Sequence, residues 1–160
     1  MTIFFSVLGA LALLFLILVF LTSPASRTHT DRKLLSSHFI AHRGLHNAEK
    51  GIPENSLLSY CHAIKENLAI EIDIHLTGDG KVISFHDNST KRMCGIDLKI
   101  EETNLEYLKK LRLLNTEERI PTLEEVLDTV QGKVFLLIEF KVVNGNAKAL
   151  CQAANEILSI

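Results

Sequence analysis

The stretch AIEIDIHL, Ala69 to Leu76, with the TGDGKVISFHD that follows it, Thr77 to Asp87, decides the fold. Its first part is an apolar β-type run interrupted by Glu71 and Asp73. Two residues apart on a strand, these carboxylates point to the same side. Gly78-Asp79-Gly80 reads as a tight turn. Lys81–Phe85 reads as a second strand, which ends on His86 and Asp87.

Working outward, His38–Ala41 predicts a short strand running into the polar turn AHRGLHN. Residues 56–66 predict a helix, with Leu57, Leu58, Cys61, Ile64 and Leu68 on one side. Asn67 follows it and tolerates a left-handed cap. Thr103-x-x-Glu106 and Thr122-x-x-Glu125 read as two capping boxes, each opening a helix. Leu105, Leu108 and Leu111 line the first; Leu123, Val126, Leu127 and Val130 line the second. Val134–Phe140 is nearly continuous in apolar residues, as in a strand buried on both faces. Residues 146–160 predict a last helix. Strands alternating with helices predict an α/β fold with a parallel sheet. In such folds functional groups sit at the carboxyl edge of the strands.

The composition excludes several classes. The chain has 160 residues and a formal net charge of -2, without the basic excess of a nucleic-acid binder. At 47% hydrophobic and 22% charged it is not a disordered chain. Cys61, Cys94 and Cys151 are odd in number and far apart, which excludes a disulfide scaffold and a standard zinc finger.

The N-terminus differs from the rest. No charged side chain precedes Arg27, and Ile3 to Leu21 is almost wholly apolar. About 20 such residues in a helix span a bilayer core. A signal peptide has a basic n-region and a shorter apolar run. The expectation is a transmembrane anchor over 1–26, with a cleaved signal and a buried core helix as alternatives. Arg27, Arg32 and Lys33 flank the span, so the positive-inside rule predicts a single-pass membrane protein with its domain on the cytoplasmic side. Residues 27–37 read as a polar linker and 38–160 as the globular domain.

Four predicted strand ends carry groups that a core would reject: His42 and Arg43, Glu71 and Asp73, His86 and Asp87, Glu139 and Lys141. Burying carboxylates costs several kcal/mol unless something compensates. Three carboxylates suit a hard divalent cation, Mg²⁺ or Ca²⁺, better than Zn²⁺. Two histidines suit general acid and base work near neutrality. Arg43 and Lys141 suit an anionic substrate group. Each has a bland counterpart: a structural strand-end histidine, a solvated acidic edge, a surface lysine. Asp87 reads as a support for His86 or a turn cap.

The ordered blocks AHRG, PENS, IEID, TGDGKVISFHD, IPTLEEVL and LLIEFK, from Phe39 to Lys141, resemble the glycerophosphodiester phosphodiesterase family. The resemblance implies a TIM-type (β/α) barrel of the PLC-like phosphodiesterase kind. It also implies metal-dependent hydrolysis of glycerophosphodiesters to glycerol 3-phosphate and an alcohol, with Mg²⁺ or Ca²⁺. It makes His42 and His86 the catalytic pair and Glu71, Asp73 and Glu139 the metal ligands. Arg43 and Lys141 become the phosphate contacts, and Glu54 a group beside the metal or one layer behind its ligands. Local reading alone gives Glu54 only as a favourable charge in a first helical turn.

The resemblance further implies attack by the substrate's glycerol 2-hydroxyl, with His42 as base and His86 as acid, and a cyclic phosphate that water opens. The anchor adds lysophospholipids to the candidate substrates. About four strands and four helices are legible, against the eight βα units of a closed barrel. The alternatives are a fragment of a longer enzyme, self-association into a completed barrel, and an open sheet. An inactive, membrane-anchored relative that binds only metal or a phosphorylated ligand is the competing functional class.

Overall fold

The computed structural model describes residues 2–22 and 39–159. The linker 27–37, its basic residues and His38 lie outside the described residues. The chain divides into two units, residues 1–37 and 38–160, and each is described by itself.

In the first unit, α1 spans Thr2–Thr22 with no acidic residue in its first turn and no basic one in its last. At 1.5 Å per residue its length is about 32 Å. Apolar side chains from Phe5 to Leu21 are exposed around it. Length and composition suit a membrane span or a signal sequence.

The second unit is built on one strand. β1 is Ile40–His42, α2 Leu57–Lys65, β2 Ala69–Leu76 and β3 Val82–Ser84. The short α3, Lys91–Cys94, and α4, Leu105–Leu108, follow. Then come α5, Leu123–Val130, β4, Leu136–Phe140, and α6, Ala147–Leu158. β2 pairs in parallel with β1 over Ala69 to Glu71 and with β4 over Ile70 to Ile74. It pairs antiparallel with β3 over Ile74 to Leu76. Ile70, Ile72 and Ile74 are wholly buried and pack with Tyr60 and Ala63 of α2, Leu123 and Val126 of α5, and Leu150 and Ala154 of α6. Each such isoleucine contributes about 1.5–3 kcal/mol of burial. A second core gathers Ile83, Phe85, Met93, Ile100, Leu108, Leu113 and Ile120. The alternate β2 residues, Glu71, Asp73 and His75, fall on the other face.

The structure departs from the sequence reading in four places. The sheet is mixed: the turn at 78–80 returns the chain at once, and a hairpin is antiparallel because parallel neighbours need a long crossover. The Thr103 capping box does not form, since the Thr103 hydroxyl bonds the Lys99 carbonyl at 2.7 Å and Glu106 pairs with Lys110 at 2.7 Å. The Asp79 carboxylate takes the Leu105 amide instead, at 2.9 Å. This needs the turn to lie close, and a Cβ on Gly78 would come within 3.0 Å of the Glu102–Thr103 backbone. β4 is half-buried with an exposed Leu137, not enclosed on both faces. Among the described residues β4 pairs only with β2, and the sheet has four strands. Finally, helix 56–66 is capped by an unanticipated box, Ser56 with Ser59. The Thr122–Glu125 box forms as read, and Asn67 takes the left-handed conformation with φ 54°.

Candidate active site

The site follows from strand register. β1 ends with His42 level with Glu71 of β2. Asp73 is level with Glu139 of β4. β3 runs backwards, so its end returns toward the middle of β2, and the Phe85 amide donates to the Asp73 carbonyl at 3.0 Å. His86 follows directly. The antiparallel hairpin thus brings a histidine to the carboxylates.

Glu71, Asp73 and Glu139 offer oxygens that all lie within 4.8 Å of one another. Glu71 and Asp73 are buried; Glu139 is exposed. Lys141 stands between two of them, with Nζ 2.9 Å from Asp73 Oδ1 and 2.5 Å from Glu139. Burial opposes its charge, but the hydrogen bond to Glu139 and the negative charges of Asp73 and Glu139 outweigh this and raise its pKa. The approach to Asp73 Oδ1 is an ion pair without hydrogen-bond geometry, so that buried oxygen has no donor. A buried carboxylate oxygen without a donor, in a cluster of hard oxygen ligands, fits a divalent cation.

Arg43 follows β1 at φ 57°. Its amide donates to Glu71 Oε2 at 3.0 Å, and its guanidinium donates to Glu54 Oε1 at 2.9 Å. Nε lies 3.4 Å from Asp73 Oδ2 but has no hydrogen-bond partner. Gly44 follows at φ +80°, where a Cβ would meet Ser59 Oγ at 2.3 Å. Both constraints explain the glycine after Arg43. His42 is exposed, with Nε2 4.0 Å from Glu71. His86 Nδ1 lies 2.7 Å from Asp87 Oδ1, the support that the sequence reading allowed. Arg92 hydrogen bonds outweigh burial and hold Asp87 at a pKa of about 2. An ionised carboxylate only accepts, so Nδ1 of His86 carries the proton.

Glu54 stands apart from the three-carboxylate cluster. It accepts from Arg43 and from both Nη atoms of Arg92. Burial raises its pKa, but the two arginines outweigh burial and lower it.

Several residues here escaped the sequence reading. Asn55 Nδ2 donates to Asp73 Oδ2 at 2.9 Å, and the Tyr60 hydroxyl donates to Asn55 Oδ1 at 2.9 Å. Burial pushes the Tyr60 pKa far up, so it stays a neutral donor. His75 Nε2 lies 3.1 Å from the His86 carbonyl; burial lowers its pKa, so the neutral ring donates. The only local signals were the Asn of PENS and a polar residue two positions after Asp73. Arg92 carried none.

An α/β sheet whose strand ends gather carboxylates, histidines and cationic groups has the layout of an α/β enzyme site. A sequence profile of the glycerophosphoryl diester phosphodiesterase family matches residues 42–160, and the chain belongs to that family. It is similar to a glycerophosphodiester phosphodiesterase of Caldanaerobacter subterraneus, at 36% identity over 110 residues, covering 64% of this chain and 44% of that protein. It is also similar to a lysophospholipase D of Homo sapiens, at 32% identity over 149 residues, covering 85% and 45%. Among solved structures it resembles an Oleispira antarctica phosphodiesterase in complex with the product sn-glycerol-3-phosphate. That match has a TM-score of 0.70 and 32% identity, covering 79% of this chain and 54% of that one. The chain therefore spans about half the length of these relatives.

Proposed function

We propose that this chain carries the acid–base and metal-binding part of a phosphodiesterase site acting on glycerophosphodiesters or lysophospholipids. The products are glycerol 3-phosphate, or a related phosphomonoester, and an alcohol. The observation that carries the reading is the convergence of Glu71, Asp73 and Glu139 within 4.8 Å, with His42 at the end of β1 and His86 just past β3.

In this reading Glu71, Asp73 and Glu139 hold Mg²⁺ or Ca²⁺. When bound, the ion offsets charge on the phosphoryl oxygens. Arg43 supports the same charge, because among the described residues only Nη1 of its guanidinium is hydrogen-bonded, to Glu54, and its Nη2 makes no hydrogen bond. Lys141 adds a second cation at the cluster. One histidine takes the proton of the attacking hydroxyl as its oxygen bonds to phosphorus. The other donates a proton to the departing alkoxide. His86 holds its proton on Nδ1, facing Asp87, so Nε2 is the atom left for exchange. We assign His42 as base and His86 as acid in the first step, His86 then being the imidazolium that carries a second proton on Nε2; the roles exchange when water opens the cyclic phosphate.

Residues 1–26 act as the membrane anchor, 27–37 as the linker and 38–160 as the catalytic part. The apolar α1 supports the anchor, and the basic flank at Arg27, Arg32 and Lys33 supports the cytoplasmic side. Pairing with a second copy would cover the exposed Leu137 on β4.

The test uses the full chain in detergent micelles, with glycerophosphocholine and lysophosphatidylcholine as substrates. Mg²⁺, Ca²⁺ and chelator arms run beside a His42→Ala control. Metal-dependent turnover lost in the control is expected. A folded protein that binds the ion without turnover would replace this reading with that of an inactive, binding-only relative.

A further inference from the structure

Taking the phosphodiesterase reading above as its ground, we infer that Arg92 is a positioning residue. It locks the Asp87 carboxylate onto the His86 ring and the Glu54 carboxylate beside Arg43, coupling the two sides of the site.

A guanidinium has five N–H donors, and all five of Arg92 are engaged. Nε donates to Asp87 Oδ2 at 2.7 Å, and Nη2 to Asp87 Oδ1 at 2.9 Å. Nη2 also donates to Glu54 Oε1 at 2.7 Å, and Nη1 to Glu54 Oε2 at 3.1 Å. The remaining Nη1 proton meets Met93 Sδ at 3.1 Å. Arg92 therefore grips two carboxylates bidentately and has no donor left for an anion. Arg43 differs, since among the described residues only Nη1 of its guanidinium is hydrogen-bonded, to Glu54, which leaves Nη2 without a hydrogen bond. The two arginines divide the work: Arg43 can face a phosphate, and Arg92 orients the groups behind it.

The orientation matters because Asp87 Oδ1 serves both Arg92 and His86 Nδ1. With Arg92 in place, both Asp87 oxygens are fixed and one of them points at the ring. The His86 carbonyl is held separately by His75. Without Arg92, among the described residues only the His86 ring would fix the rotation of the Asp87 carboxylate. A lysine cannot substitute, because an ammonium is a point charge without a planar fork. Arg92 is about half exposed, so solvent screening reduces what its pairs contribute to stability. Its effect is on geometry.

The test is a long-range ¹H–¹⁵N correlation spectrum of the histidine rings in the full chain in micelles, at a pH where the rings are neutral. His86 is assigned by its loss in His86→Gln. The wild type is expected to show one tautomer at His86, protonated on Nδ1. Arg92→Ala is expected to show a mixture of both tautomers, as Asp87→Asn does, with Arg92→Lys in between. Turnover of glycerophosphocholine by Arg92→Ala is expected to fall in kcat by about 10–100-fold, part of the usual acid–base contribution, with KM within about twofold. A His86 ring that keeps the Nδ1 proton in Arg92→Ala would overturn the proposal. So would a raised KM with kcat retained, which would make Arg92 a substrate contact. If Arg92→Ala does not fold, Arg92→Lys decides by the same signal. The tautomer needs no turnover, so a silent activity assay counts against the proposed function and not against Arg92.

Discussion

Tyr60→Phe removes one oxygen, and the structure states what that oxygen does. Tyr60 and Ser84 are fully buried, and Asn55 is 2% exposed. The Tyr60 hydroxyl lies 2.9 Å from Asn55 Oδ1 and 2.6 Å from Ser84 Oγ. Removing it leaves two buried polar groups short of a partner. Leaving one buried group unsatisfied costs about 1–3 kcal/mol. Ser84 keeps a 3.3 Å contact to Asn55 Oδ1, so the loss should sit near the lower half of that range, about 1–2 kcal/mol. With a urea slope of about 1–3 kcal/mol/M for a small domain, the midpoint should fall by roughly 0.5–1 M. The second consequence is at the site. Asn55 Nδ2 holds Asp73 Oδ2, and loss of a group that orients a metal ligand typically costs about 10–100-fold in affinity. Titration calorimetry with Ca²⁺ and with Mg²⁺ on the full chain measures this directly. Tyr60→Phe should weaken binding, and adding Asn55→Ala should then weaken it by less than it does alone. An unchanged urea midpoint would refute the hydrogen-bond accounting. A lowered midpoint with unchanged ion affinity would refute the claim that this buried chain orients Asp73.

Two further outcomes are expected. Asp87 is held at about 2 by Arg92, below an unfolded value of about 3.9. Its contribution to stability is therefore full above the unfolded pKa and is lost as pH falls toward the folded one; urea midpoints from pH 5 to pH 2 should drop less steeply in Asp87→Asn than in the wild type. Gly44→Ala combines a left-handed φ with a Cβ 2.3 Å from Ser59 Oγ, and should cost at least the about 1–3 kcal/mol of backbone strain. A melting temperature matching the wild type would show that the turn after Arg43 can relax.

What the sequence determined by itself was local. The period of two in AIEIDIHL put Ile70, Ile72 and Ile74 on one face of β2 and Glu71 and Asp73 on the other, because side chains alternate across any strand. The Thr122-x-x-Glu125 box set the start of α5, because its bonds lie within four residues. The strand-end placement of His42, His86, Glu139 and Lys141 was legible for the same reason. Tertiary structure decided what depends on groups distant in the chain. Thr103-x-x-Glu106 has the same local pattern as the box that forms, yet the Asp79 carboxylate displaces it across 26 residues. The direction of β3, by contrast, is local: the three-residue turn before it forces an antiparallel return. The role of Glu54 became visible only when the Arg92 guanidinium, 38 residues on, met it. Likewise Asn55 reads as a helix-start residue until folding sets it between Tyr60 and Asp73. Periodicity and capping are encoded in neighbours, whereas a buried polar group takes whichever partner the packed chain brings within hydrogen-bond reach.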